Sequence, residues 1–353
     1  MHRRITPTVI APFFALFFSL LLAFFCLSAE CADRQAASRD GIELLHQAEK
    51  VTDILAGDVP SFRLTARVEV FDDKGKKTEG TYTLFWNSPT IWRQEFSFPD
   101  SKEVYLARIN KLLISRNPSA PSEQIYRAEA LLDFARFLRL GPKNKVQKLE
   151  QRTEQGRPVR KLDISISDLP WKKIYFDSQS QLPIRVEYKG AALGGRYPYK
   201  EFDLRFQFAD YMEFSGLRFP RKLQRFESNV LKAQVEVQDW SPAKFGEADF
   251  IPPDDAHWIH WCHRPETAIL ESQLVRPNLQ FPPQLRTGGP TSRVVVSGII
   301  GADGQWHNIQ TVKSEGSMVD SFWISEMHQQ KFTPAKCGDT PVESEMMIEF
   351  DWP

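Results

Sequence analysis

The chain has 353 residues, carries 45 basic against 45 acidic side chains, and is 42% hydrophobic. That length sets a prior of two or three domains, the hydrophobic share suffices for a packed core, and the even charge balance gives no field that would gather nucleic acid. A content of 26 Phe and 9 Trp points to β-rich domains with aromatic interiors.

Residues 1–32 place Arg3 and Arg4 before an apolar run from Val9 to Leu27, the pattern of an export signal. The run is long enough to span a bilayer, and the segment from Leu27 to Ala32 offers poor small-residue pairs for cleavage. A removed signal and a retained inner-membrane anchor through residues 9–29 both stay open. Glu30 spoils a lipoprotein acceptor at Cys31. Either way the bulk of the chain is expected in the periplasm. Cys26 and Cys31 belong to this segment, which leaves Cys262 and Cys337 as a disulfide or as two separate thiols.

From Gly41 to Leu55 the residues Leu44, Leu45, Ala48, Val51 and Leu55 recur at helical spacing. Alternating strands follow over Phe62 to Val70, Gly80 to Trp86, Trp92 to Phe98 and Glu103 to Ala107, with a solvated tip at Lys74, Lys76 and Lys77. Ala128 to Leu140 reads as a strongly apolar helix closed by Gly141-Pro142. Seven further short strands run from Arg160 to Asp239, and together they predict one large curved antiparallel sheet over residues 41–250, with the helix on its concave face. Residues 251–280, punctuated by Pro252-Pro253 and Pro277, read as a connector.

The last unit, residues 281–353, combines a hairpin (Arg293 to Ile300, a turn at Asp303-Gly304, Trp306 to Lys313) with a capping-box signal at Ser317 and Asp320. A helix should then cover the hairpin with Val319, Phe322, Trp323 and Met327 and stop before Pro334. A final strand alternates Val342, Ser344, Met346, Ile348, Phe350 and Trp352 against Glu343, Glu345, Met347, Glu349 and Asp351. The fold class expected is therefore α+β: a half-barrel with helices, then a small ββαβ unit.

Pro282-Pro283, the first strand, Asp303-Gly304 with Asn308-Ile309, Ser314, Asp320, Phe332 to Ala335 and Gly338 to Val342 together resemble the C-terminal domain of the TonB family of periplasmic energy transducers. The resemblance implies capture of an extended peptide from an envelope protein or receptor. Phe281 stands where that family usually has Tyr, and no long proline tract precedes the unit, so energy transduction itself is not expected. Added as a further strand, the peptide would meet the acidic set Glu343, Glu345, Glu349 and Asp351, with Met347 among them, which favours Lys or Arg at alternate positions.

Residues 45–245 show a weaker likeness, in order more than in motif, to LolA-like periplasmic carriers of lipids and lipoproteins. It rests on the early helix, Trp92-Arg93 after Ser88-Pro89, Tyr175 to Asp177, Leu182 to Glu187, Phe208 to Tyr211 and Leu217 to Pro220. This likeness implies an acyl chain held under a helix in an incompletely closed barrel.

His257, His260, Cys262 and His263 lie close enough in sequence to suggest zinc or copper. No second cluster completes a known spacing, so no cofactor is expected. Ser241 and Lys244 match Ser-x-x-Lys without the partner motifs of acyl-serine enzymes. The readings in order are a non-enzymatic envelope protein that binds peptides through its C-terminal unit, a carrier of lipid or acyl chains, and a metal-binding protein.

Overall fold

The computed structural model describes residues 37–72, 74–117, 121–141, 144–166, 169–190, 202–265, 269–270 and 292–352. The expected export signal or anchor, residues 1–32, and Phe281 to Pro283 lie outside them. Among the described residues, no helix is long and apolar enough to cross a membrane.

Helix α1 occupies 37–52. Strands β1 (Phe62–Phe71), β2 (Lys77–Ser88), β3 (Ile91–Phe98), β4 (Ser101–Arg108) and β5 (Lys111–Asn117) follow as a meander, then α2 (Glu123–Leu132) and a 3-10 turn (Phe134–Phe137). A second meander comprises β6 (Asn144–Glu154), β7 (Arg157–Ile166), β8 (Leu169–Asp177), β9 (Pro183–Gly190), β10 (Phe202–Phe214), β11 (Leu217–Glu227) and β12 (Val230–Pro242). A 3-10 turn (Glu247–Phe250) leads to β13 (His257–His260). All thirteen strands form one open antiparallel sheet in the order β13-β5-β4-β3-β2-β1-β12-β11-β10-β9-β8-β7-β6. The seam is β1 against β12, running from Phe62 opposite Pro242 to Val70 opposite Ala233.

That order dictates where the helices go. The chain must pass from β5, near one end of the sheet, to β6 at the other, so the connection carrying α2 runs across a whole face. β1 shows the consequence in its alternation: Phe62, Leu64, Ala66, Val68 and Val70 are buried beneath the helices, and the residues between them are more open. α1 packs on the same face beside β6 and β7. A Cβ at Gly41 would come within 2.5 Å of the Leu162 side chain, so the helix approaches closely there and a larger residue would make Leu162 and Val146 shift.

The return from β12 to β13 uses the opposite face as a strap. Phe245 packs on Phe85 of β2 and on Phe250, the Arg93 guanidinium of β3 donates to the carbonyls of Asp249 and Ile251, and the Ser115 hydroxyl of β5 donates to Asp255. Residues read as a connector thus include the sheet's edge strand. The expected helix from Ala128 to Leu140 instead starts at Glu123, capped by the Ser122 hydroxyl, and gives way to the 3-10 turn.

The C-terminal residues comprise β14 (Ile269–Leu270), β15 (Ser292–Ile300), β16 (Trp306–Lys313), α3 (Ser317–His328), β17 (Phe332–Thr333), β18 (Ala335–Cys337), β19 (Thr340–Val342) and β20 (Ser344–Trp352). β15 lies between β16 and β20, with α3 against the hairpin through Val319, Trp323 and Met327. The expected Ser317 cap is corrected. Gly316 is the cap residue, Ser317 begins the helix, and the Asp320 carboxylate reaches back to the Glu315 N–H instead.

Candidate functional site

The helix-covered face of the large sheet is its concave, apolar side, and aromatic rings dominate it. Phe134, at the hinge between α2 and the 3-10 turn, sits among Phe208, Phe219, Tyr211 and Phe137 at centroid distances of 4.6, 5.9, 6.2 and 6.4 Å. Phe137 packs on Phe206 at 4.5 Å. Nearer the rim, Phe62 contacts Trp86, Phe214 and Trp240. Trp86 and Trp240 bury indole N–H groups that meet no acceptor among the described residues. The void between the end of α1, α2 and the 3-10 turn is only about 10 Å³, on the order of a single water and far short of an acyl chain. In this conformation the rings of the cover fill the space that a guest would need.

Polar ties at the margins hold the cover down. The Lys172 ammonium on β8 donates to the carbonyls of Phe137 and Arg139 at 3.0 and 3.3 Å, and burial with nearby Arg136 lowers its pKa to about 8. Arg127 of α2 pairs with Glu123 and lies near Glu227 of β11. Asp53, just after α1, is bonded by both Arg139 and Arg264, while the His263 ring contacts the Leu55 carbonyl at 2.9 Å. Burial, then Arg264, hold the His263 pKa below the usual imidazole value.

Segment 261–264 therefore clamps the end of α1, and Cys262 within it is disulfide-bonded to Cys337 of β18 with Cα atoms 6.2 Å apart. The C-terminal unit is stapled to the same clamp. Its sheet turns Val294, Val296 and Ile348 toward α3, and Ile299 on the other face packs against the large core.

Here the expectation for the acidic strand needs correction. Glu345 does not point to solvent; it pairs with the buried Arg116 of β5. Arg116 also donates to Glu103 of β4 at 2.9 Å and to the Tyr105 hydroxyl at 2.9 Å, and that hydroxyl donates to Glu103 at 2.7 Å. Glu343 accepts the His260 N–H and donates its own N–H to the His260 carbonyl. Two of the five residues proposed to read a peptide are thus consumed inside the molecule, because an edge strand packed on a second sheet finds its partners there. Met347 lies opposite Ser297 of β15; the side chains of Glu349 and Asp351 are outside the described residues. The other edge of β20 has no paired strand among the described residues.

One carboxylate joins this cluster from above. Glu129 of α2 accepts a long hydrogen bond, 3.4 Å, from Gln94 of β3. The residue keeps part of its surface open, but its carboxyl is enclosed, and burial followed by the charges of Glu345 and Glu103 pushes its pKa up to about 7.

The histidines do not converge. On β13, His257 and Ile259 share one face and His260 the other, Cys262 is in the disulfide, and His263 serves the α1 clamp. Among the described residues no group of His, Cys, Asp and Glu could hold a metal ion. His260 does line an open cleft of about 480 Å³ with Asp303, His307 and Glu343, in which the imidazole of His307 is bonded to Asp303. Ser241 lies at the end of β12 and donates to Asp239, away from any helix. Sequence patterns missed β5, β6 and the Arg116 cluster; the only local signal for that cluster was Glu103 at an inward-facing strand position.

No family model and no curated protein matches the chain. Solved structures do. A LolA superfamily protein from Nitrosomonas europaea is 10% identical over 59% of this chain and 96% of its own, with a TM-score of 0.39. A DUF1329 family protein from Desulfovibrio piger is 10% identical over 61% and 97%, with a TM-score of 0.41. The MucA/MucB complex of Pseudomonas aeruginosa matches 88% of this chain and 94% of the other at 10% identity, with a TM-score of 0.28. Likenesses this distant carry no functional argument.

Proposed function

We propose that this chain is a non-enzymatic, exported carrier that shelters a lipid or a lipoprotein acyl chain on the concave face of its large sheet. One observation carries the reading: an open, aromatic-lined apolar face is roofed by helical segments instead of a second sheet, and the roof is held by apolar packing on that face with polar ties at its margins. A helix resting on rings can lift without breaking a strand ladder, and the face it uncovers is apolar enough to take a hydrocarbon chain. The unpartnered indole N–H groups of Trp86 and Trp240 are donors that an ester or amide carbonyl of the guest can satisfy. The export signal expected from residues 1–32 and the Cys262–Cys337 disulfide both support a periplasmic location.

For the C-terminal ββαβ unit we propose docking of an envelope protein on the edge of β20 that has no paired strand among the described residues. Glu343 and Glu345 drop out of the recognising set.

The test is a titration of purified, delipidated full-length protein with a fluorescent fatty-acyl probe. Saturable binding that is lost in Phe206→Glu, with circular dichroism unchanged, supports the carrier reading. No saturable binding at any probe concentration below micelle formation contradicts it.

A further inference from the structure

Two carboxylates from two elements converge on a single guanidinium where the C-terminal unit meets the concave face: Glu103 of β4 and Glu345 of β20 both pair with Arg116 of β5. A third, Glu129 of α2, does not touch the guanidinium but sits on Gln94 of β3, within reach of their charges. Glu103 is committed on both oxygens, to the Ser122 N–H at the start of α2 and to Arg116 and Tyr105. Glu345 holds Arg116 from the C-terminal side, and among the described residues the Glu129 carboxylate has only Gln94 as a hydrogen-bond partner. With all three ionised the cluster carries two uncompensated negative charges in a largely enclosed space, so one carboxyl is better kept as the acid.

We propose that the C-terminal unit is a proton-sensitive gate on the concave face, seated while this cluster holds its shared proton and loosened when the proton leaves. The inference deepens the carrier reading by naming a control on access to the same face, and it rests on that reading only for its purpose. The Cys262–Cys337 disulfide sets the extent of the motion, since it ties the gate to the segment that clamps α1.

The direction follows from linkage. Seating brings Glu345 toward Glu129 and favours the protonated form of Glu129; reciprocally, protonation of Glu129 favours seating. The groups facing Glu129 are Glu103 and Tyr105 from β4, Arg116 from β5, Glu345 from β20, Asp133 at the end of α2, Gln94 from β3 and Tyr82 from β2. Neither tyrosine ionises near neutrality, because burial pushes both hydroxyls up. His257 also lies near Arg116, but burial and that cation lower its pKa, so it titrates on the acid side of the window. Burial raises the Glu345 carboxyl as well, so the shared proton belongs to the Glu129–Glu345 pair, with Glu129 titrating at about 7.

Hydrogen–deuterium exchange on the ligand-free full chain tests this, with rates divided by the intrinsic exchange rate at each pH. Peptides covering 344–348 and 111–116 should exchange about tenfold faster, relative to intrinsic, at pH 8.5 than at pH 5.5. Glu129→Gln should hold the slow rate across the range. Glu345→Gln should also flatten the profile, at a faster rate, since Arg116 loses its tie to the gate. A flat wild-type profile overturns the proposal, as does a Glu129→Gln profile with the wild-type slope. Because no guest is present, failure of the acyl-probe titration leaves this result standing, and a flat exchange profile leaves the carrier reading standing.

Discussion

Lys172 shows how a buried amine can tie down a removable roof through its hydrogen bonds while its charge is penalised by burial. Its ammonium completes two carbonyls at the end of the 3-10 turn, which would otherwise lack partners there. Its pKa falls from 10.5 in the free side chain to about 8 in the folded chain. Between those values the unfolded state binds the proton and the native state does not, so stability rises with pH across that window and is lost as pH falls through about 8. Urea titrations of wild type and Lys172→Met should therefore diverge in wild type's favour from pH 8 to pH 10, by up to about 1.4 kcal/mol per pH unit. Parallel curves would show that the amine is not buried as charge. Phe134 makes the complementary case from the apolar side. Phe134→Ala should cost about 3–5 kcal/mol of stability and also increase acyl-probe binding, because the cavity it leaves lies where the guest would go.

The helices, the strap and the disulfide are the elements whose roles depend on topology. Removing the Cys262–Cys337 bond by serine at both positions should lower stability by about 2–4 kcal/mol in urea, given a loop of 75 residues. Faster exchange should appear in 41–55 as well as in the C-terminal unit, because Arg264 and His263 beside Cys262 hold the end of α1. Exchange confined to the C-terminal unit would dissociate the clamp from the staple. The strands with inward apolar alternation, such as Phe62 to Val70 and Trp92 to Phe98, were legible in sequence because period two survives wherever one face is roofed. β6 was not. Its stretch from Asn144 to Glu154 is mostly polar on both faces, as befits the far edge of the sheet, and leaves almost no alternation to read. β13 escaped notice for a different reason: four residues with histidine at both ends look like ligands until the backbone assigns them to opposite faces.

For the molecule as a whole, two meanders zipped at β1 and β12 make one sheet, and two crossings on opposite faces give it a roof and a strap. The large curved sheet with a helix on its concave side followed from the residues, since alternation plus turn residues is local information. The contact of Glu345 with Arg116 did not, because 229 positions separate them and only the docking of one unit on the other brings them together. The same docking explains why an acidic strand that looks like a peptide reader turns part of its charge inward. The account stands or falls on where a guest sits. Photo-crosslinking with a diazirine-labelled fatty acid on the full-length protein, mapped by mass spectrometry, addresses that most directly. Labelling concentrated on 134–137 and 204–219, and blocked by excess unlabelled fatty acid, is the predicted result. Labels scattered over the strap at 243–256, or unaffected by competitor, would contradict it.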